Sequence, residues 1–113
     1  MSDAHRLVVF SAPKPGREDE YNKWYNEVHL DEVVAIPGFV AAQRFQLSDE
    51  QLPGFPESPH TYLAIYEFDR PPGEPLEVLA GDLQSGAIVL PDAIDVESIR
   101  PWAYSSISGR TSS

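Results

Sequence analysis

The proline and glycine clusters at residues 13–16, 37–38, 53–59 and 71–75 cut this chain into segments whose order leaves few folds open. Arg6 to Ala12 is a short, β-branched and apolar run that stops at Pro13, Pro15 and Gly16, as a buried strand does. Phe39 to Leu47 alternates weakly, and Tyr62 to Asp69 is apolar on both faces until its end, which predicts a second strand and a central third one. Between them Ser48 to His60 holds Pro53, Gly54, Pro56 and Pro59 and reads as a loop. A connection of that length either borders a site or forms a flexible hairpin tip. Leu76, Val78, Leu79 and Leu83 space a short amphipathic helix ending near Gly86. Ala87 to Ile94 is apolar but interrupted by Pro91. Val96 to Ile107 then resumes a strand in which Pro101, unable to donate to a ladder, belongs at an edge or a bulge.

Arg17 to His29 is the clearest helix. Set at 100° intervals, Tyr21, Trp24, Tyr25 and Val28 fall in one arc of about 100° with His29 at its rim. Glu18, Asp19 and Glu20 occupy the first turn, where the helix dipole favours negative charge. A straight continuation would carry Glu32 into the middle of the apolar stripe. The spacing therefore predicts a bend between His29 and Asp31, a short second turn through Val33 to Ile36, and a reversal at Pro37-Gly38.

The resulting βαββαβ order is a repeated split βαβ. It predicts an α+β, ferredoxin-like fold with a four-stranded antiparallel sheet and both helices on one face. The other face then needs a cover. The third strand is apolar on both sides, and Trp102 and Tyr104 point from one side of the fourth, so two such sheets packed face to face bury what one alone exposes. The expectation is a homodimer enclosing a small apolar cavity between its sheets, with a single domain over residues 1–107 and a flexible tail over 108–113.

Composition narrows the function classes. Hydrophobic residues at 42% of 113 positions can fill one globular core, and the 23% charged fraction argues against disorder and membrane residence. No apolar run approaches the ~18 residues of a membrane span. Met1 to Arg6 lacks the regions of a signal peptide, so a cytoplasmic location without a membrane partner is expected. The absence of cysteine removes disulfides, thiolate nucleophiles and cysteine-ligated metals. A formal charge of −10 without basic clustering repels phosphate backbones, which argues against a nucleic-acid partner. No phosphate-binding glycine loop, nucleophile elbow or haem-attachment motif is present, and the spacing around His5, His29 and His60 is no metal-ligand motif. Neither a cofactor nor a metal is expected.

Tyr21, Trp24, Tyr25, His29, Pro37, Gly38, Phe39, Arg44 and Phe45 together form an aromatic pair, a histidine four residues on, and a Pro-Gly before a strand. That pattern, over residues 17–47, resembles the signature of the dimeric α/β-barrel superfamily, and within it the EthD-like group, named for ethyl tert-butyl ether degradation. The resemblance implies a homodimeric α/β barrel. The scaffold hosts cofactor-free monooxygenases, dehydrochlorinases, polyketide cyclases, decarboxylases, haem-binding enzymes and stress-induced binders, so it implies a site without naming a reaction. His29 matches a histidine that is catalytic in some members.

His29 is the leading candidate on chemistry as well, because imidazole moves protons near neutral pH; otherwise it caps the bent helix end by bonding a carbonyl. Tyr25, one turn earlier, either walls a pocket and bonds the imidazole or packs in the core. Glu32 orients His29 or acts as a base, or else is a solvated turn charge. Arg44 is opposite in phase to Gln43, so it either faces the cavity and holds a carboxylate or enolate or pairs with surface acids. Tyr66 and Trp102 complete an aromatic lining, with interface packing as the other role for Trp102.

The leading expectation is a cofactor-independent enzyme of lyase, isomerase, cyclase or decarboxylase type. It would act by proton transfer on a hydrophobic oxygenated or aromatic substrate, with His29 as general acid or base. A non-catalytic dimeric ligand-binding or stress-responsive protein is the alternative, and cofactor-free oxygenation of a quinol is a third. The binder requires a fully hydrogen-bonded His29 with no pocket beside it.

Overall fold

The computed structural model describes residues 4–113, so the first three residues of the expected domain lie outside the described residues. In chain order the elements are β1 (His5–Pro13), α1 (Glu18–Trp24), a π-helical turn (Tyr25–His29), α2 (Leu30–Val34), β2 (Phe39–Gln46), β3 (Tyr62–Phe68), α3 (Gly73–Ser85) and β4 (Ile94–Ser105). The strands form one antiparallel sheet in the order β2-β3-β1-β4. This is the ferredoxin-like α+β arrangement that the segment order predicts. Pro101 sits on β4, which is an edge strand, opposite Val9. None of the described helices is long and apolar enough to cross a membrane.

Register divides the sheet into two unlike faces. Tyr66 stands opposite Leu7 and Ala42, and Leu7 opposite Ala103; these side chains face the helices. The alternate row of Gln43, Ile65, Val8 and Trp102 points the other way. The core lies wholly on the helix side, where Leu7, Ala64, Tyr66 and Phe68 meet Tyr21, Tyr25 and Val33. The shortest dimension of the chain is 21 Å, enough for a sheet with one helix layer. The second face has no cover within the chain.

The bend after the aromatic helix comes earlier than the spacing predicts, and it is a widened turn. The Leu30 N–H donates to the Tyr25 carbonyl, five residues back. Tyr21, Tyr25, His29 and Val33 lie at intervals of four, and each such step overshoots an ideal α-turn by about 40°. The widened turn takes up that drift and keeps all four buried. Val28, expected in the apolar stripe, is the casualty of the same shift and is 46% exposed. The loop from residue 47 to 61 has no helix or strand, and its ends are joined by Leu47 N–H donating to the Thr61 carbonyl at 2.7 Å. Beyond β4, residues 106–113 are exposed and carry no helix or strand.

Candidate functional site

A cavity of about 290 Å³ lies between the helix-covered face of the sheet and the helices of the same chain. Its floor comes from Leu7 and Val9 of β1 and Ile99 of β4, and its roof from Leu76, Leu79 and Leu83 of α3. Five lining residues carry polar side-chain groups: Ser11, Trp24, Tyr25, His29 and Tyr66. His29 thus opens onto a cavity within one chain, whereas the sequence reading placed it on the space between two facing sheets. The helix layer that carries His29 packs on one face only, so the imidazole reaches the sheet from the helix side and cannot look across the uncovered face. The long 48–60 loop contributes nothing to this cavity; its Leu52 and Phe55 are exposed elsewhere.

The polar end is built by every second residue of β1 and β3 meeting every fourth residue of the helical segment. Ser11 and Tyr21 share a buried hydrogen bond of 2.6 Å between hydroxyls. The Tyr66 hydroxyl, fully buried, approaches that of Tyr25 closely enough to couple to it but not in the geometry of an ordinary hydrogen bond. Burial pushes the Tyr25 and Tyr66 phenols up, so both remain protonated donors.

His29 lies flat on Trp24, with ring centres 4.5 Å apart, and edge-on to Tyr25 at 5.1 Å. It does not bond the Tyr25 hydroxyl. Its Nδ1 faces Glu32 Oε1 at 3.5 Å, at the outer limit of a hydrogen bond, and neither atom has another partner. Burial lowers the imidazole pKa, and the Glu32 carboxylate opposes that in part. The ring is therefore neutral at pH 7, and an Nδ1–H directed at Glu32 leaves Nε2 free to accept a proton.

A stability signature follows. An unfolded chain takes up a proton near the ordinary imidazole value of 6.5, which the folded chain refuses. The stability present above that value is lost as pH falls through the lowered folded value. Thermal melting followed between about pH 7.5 and pH 5 should show a decline that a His29→Phe variant lacks; parallel profiles for the two proteins would show that His29 is not held neutral by burial.

Arg44 faces the helix side, as one of its two expected phases requires, but stands behind the cavity wall. Its guanidinium carbon is 4.4 Å from the centre of the Tyr25 ring and 5.3 and 5.5 Å from those of Tyr21 and Tyr62. Its terminal nitrogens donate to Asn26 Oδ1 and Asn22 Oδ1, each at 2.9 Å.

Of the residues singled out in the sequence, the structure brings His29, Tyr25 and Tyr66 together on the cavity, with Glu32 and Arg44 one layer behind. Trp102 is separated from them. Pro101 and Ala103 face the cavity, so Trp102, one residue out of phase, points to the uncovered face and packs edge-on to Phe10. Ser11, Asn22 and Asn26 escaped notice. Ser11 had a signal, being the hydroxyl in the buried phase Leu7-Val9-Ser11 of an apolar strand. Among the described residues no three His, Asp or Glu side chains gather as metal ligands would.

No protein-family model and no curated protein matches the chain. Among solved structures it is similar to a crystal structure of an ethyl tert-butyl ether d (EthD) family protein from Bacillus halodurans c-125. The TM-score is 0.55 at 16% identity, over 91% of this chain and 97% of that one. At that identity the likeness extends to the fold: the chain has the ferredoxin-like α+β architecture of an EthD-family protein.

Proposed function

We propose that the protein is a small-molecule enzyme that transfers protons on a hydrophobic, oxygenated substrate held under α3, with His29 as general base and acid. The observation that carries this reading is a neutral, buried imidazole with one nitrogen on a carboxylate and its ring on an apolar cavity. Nε2 takes a proton from carbon adjacent to a carbonyl while Nδ1–H turns to Glu32, which stabilises the imidazolium. Tyr25 and Tyr66 donate to the oxygen on which charge develops. The same proton leaves Nε2 for the product, so the cycle needs no other reactant. The non-catalytic alternative requires a fully hydrogen-bonded His29 with no opening beside it, and the long 3.5 Å Nδ1–Glu32 contact and the adjacent cavity speak for catalysis. A second copy covering the open sheet face completes the proposed assembly.

The test does not require the natural substrate. Apolar ketones and esters incubated with the protein in deuterium oxide should exchange protons next to the carbonyl, with and without a metal chelator. His29→Ala should slow that exchange by about 10²–10⁴-fold while leaving the fold intact. Undiminished exchange by the variant would remove His29 from the chemistry.

A further inference from the structure

We propose that the Tyr25–Tyr66 corner of the cavity, with Arg44 behind it, is a subsite for the delocalised oxyanion of an otherwise apolar ligand, such as a phenolate or enolate. This rests on the cavity being a ligand site, and it adds what the ligand must carry and where.

Three features converge there. Tyr66 lines the cavity, and its hydroxyl, buried beside that of Tyr25, makes no hydrogen bond of ordinary geometry, so its donor capacity is not saturated within the chain. No aspartate or glutamate lines the cavity, and Glu32 sits on the far side of the imidazole, against Nδ1. Arg44 is the third. In a chain with 18 acidic residues, this guanidinium has no carboxylate within ion-pairing distance among the described residues. Neutral amides of Asn22 and Asn26 hold it instead, and its Nε is buried without a partner. Its charge is therefore not cancelled locally. It faces the Tyr25 ring at 4.4 Å, and apolar walls let such a charge act over a longer range than water does. Arg44 does not border the cavity, so it acts as a positioning residue, setting the potential at the two hydroxyls rather than touching the ligand.

The sharpest probe is 4-nitrophenol, whose phenolate absorbs in the visible and which titrates near neutrality, with nitrobenzene as the uncharged counterpart lacking the oxygen. Spectroscopic titration of the full chain should show the phenolate bound about tenfold more tightly than the phenol, so that the pKa of bound probe falls by about one unit. Arg44→Met should abolish that fall and leave nitrobenzene affinity unchanged. Tyr66→Phe should remove at least half of it, and Arg44→Lys should keep part of it, because charge remains without the planar fork. A bound probe whose pKa is unmoved or raised overturns the subsite, as does an Arg44→Met protein that behaves as wild type. Should Arg44→Met not fold, the Tyr66→Phe and Arg44→Lys proteins decide in the same way. If neither nitrobenzene nor nitrophenol binds, the ligand-site reading fails with it; if nitrobenzene alone binds, only the oxyanion subsite does.

Discussion

Val8→Lys is expected to convert the proposed dimer into a folded monomer that keeps the proposed ligand cavity. Val8 stands at the middle of the uncovered face, between Ile65 on β3 and Trp102 on β4. Phe10, Leu63 and Phe45 form the adjoining row, and Arg6, Glu67 and Tyr104 the next. Trp102 is 47% exposed, Tyr104 59% and Phe45 44% in the single chain, an apolar centre edged by Arg100 and the Arg6–Glu67 ion pair, of the kind that monomers rarely leave open. Under two-fold symmetry one substitution places two lysines in the same buried region. Each is desolvated without a partner, and a thousandfold or greater loss in dimer affinity, about 4 kcal/mol, is the expected scale. Lysine on a half-exposed strand can extend into water, so the monomer itself should stay folded. Sedimentation of both proteins tests this, and a monomeric wild type at micromolar concentration would refute it. Because the cavity is lined by one chain, nitrobenzene binding should survive in the monomer. Binding lost together with the dimer would mean that the partner completes the site.

That separation of the cavity from the uncovered sheet face is also where the sequence was hardest to read. Segment order follows from proline and glycine punctuation and from periodicity, both local properties, and the βαββαβ order and the antiparallel sheet were legible from them. Parity was legible too: Trp102 and Tyr104 on one side of β4, Tyr62, Tyr66 and Phe68 on one side of β3. Which parity faces the helices is a tertiary fact, set by crossover handedness and register, and it places Trp102 away from His29 while bringing Tyr66 to it. The widened turn at Tyr25–His29 was invisible for a different reason. A constant 100° step assigns Val28 to the buried stripe, and only the recurrence of Tyr21, Tyr25, His29 and Val33 at intervals of four hints that the helix must be underwound there. Arg44 shows a third limit. Its phase on β2 could be narrowed to two faces, but its neutral Asn22 and Asn26 clamp joins residues 18 to 22 positions apart, and no local pattern encodes it.

Gly38 ties these levels together, and Gly38→Ala should be among the most destabilising single-methyl changes in the chain. The Pro37-Gly38 pair ends the helical segment, and Gly38 adopts φ +103°, a region in which a Cβ is penalised by about 1–2 kcal/mol. Its carbonyl also accepts from the Asp69 N–H at 3.0 Å, fixing the turn against the end of β3. A Cβ here would overlap the ring of Pro75, which is buried in the first turn of α3. Overpacking of that kind adds about 1–3 kcal/mol. Together these correspond to a fall in melting temperature of roughly 10 °C or more. Gly16 supplies the control, since it too has a positive φ, +80°, but nothing lies within 4 Å of its missing Cβ. Gly16→Ala should therefore show the backbone penalty alone. Pro75→Ala combined with Gly38→Ala should recover part of the loss, because the ring that the methyl strikes is gone. The overlap also displaces the start of α3, whose Leu76 and Leu79 roof the cavity, so Gly38→Ala should weaken nitrobenzene binding where Gly16→Ala does not. Equal melting losses for the two alanine variants would show that Pro75 yields freely, and that the helix roofing the cavity is not held in place by this turn.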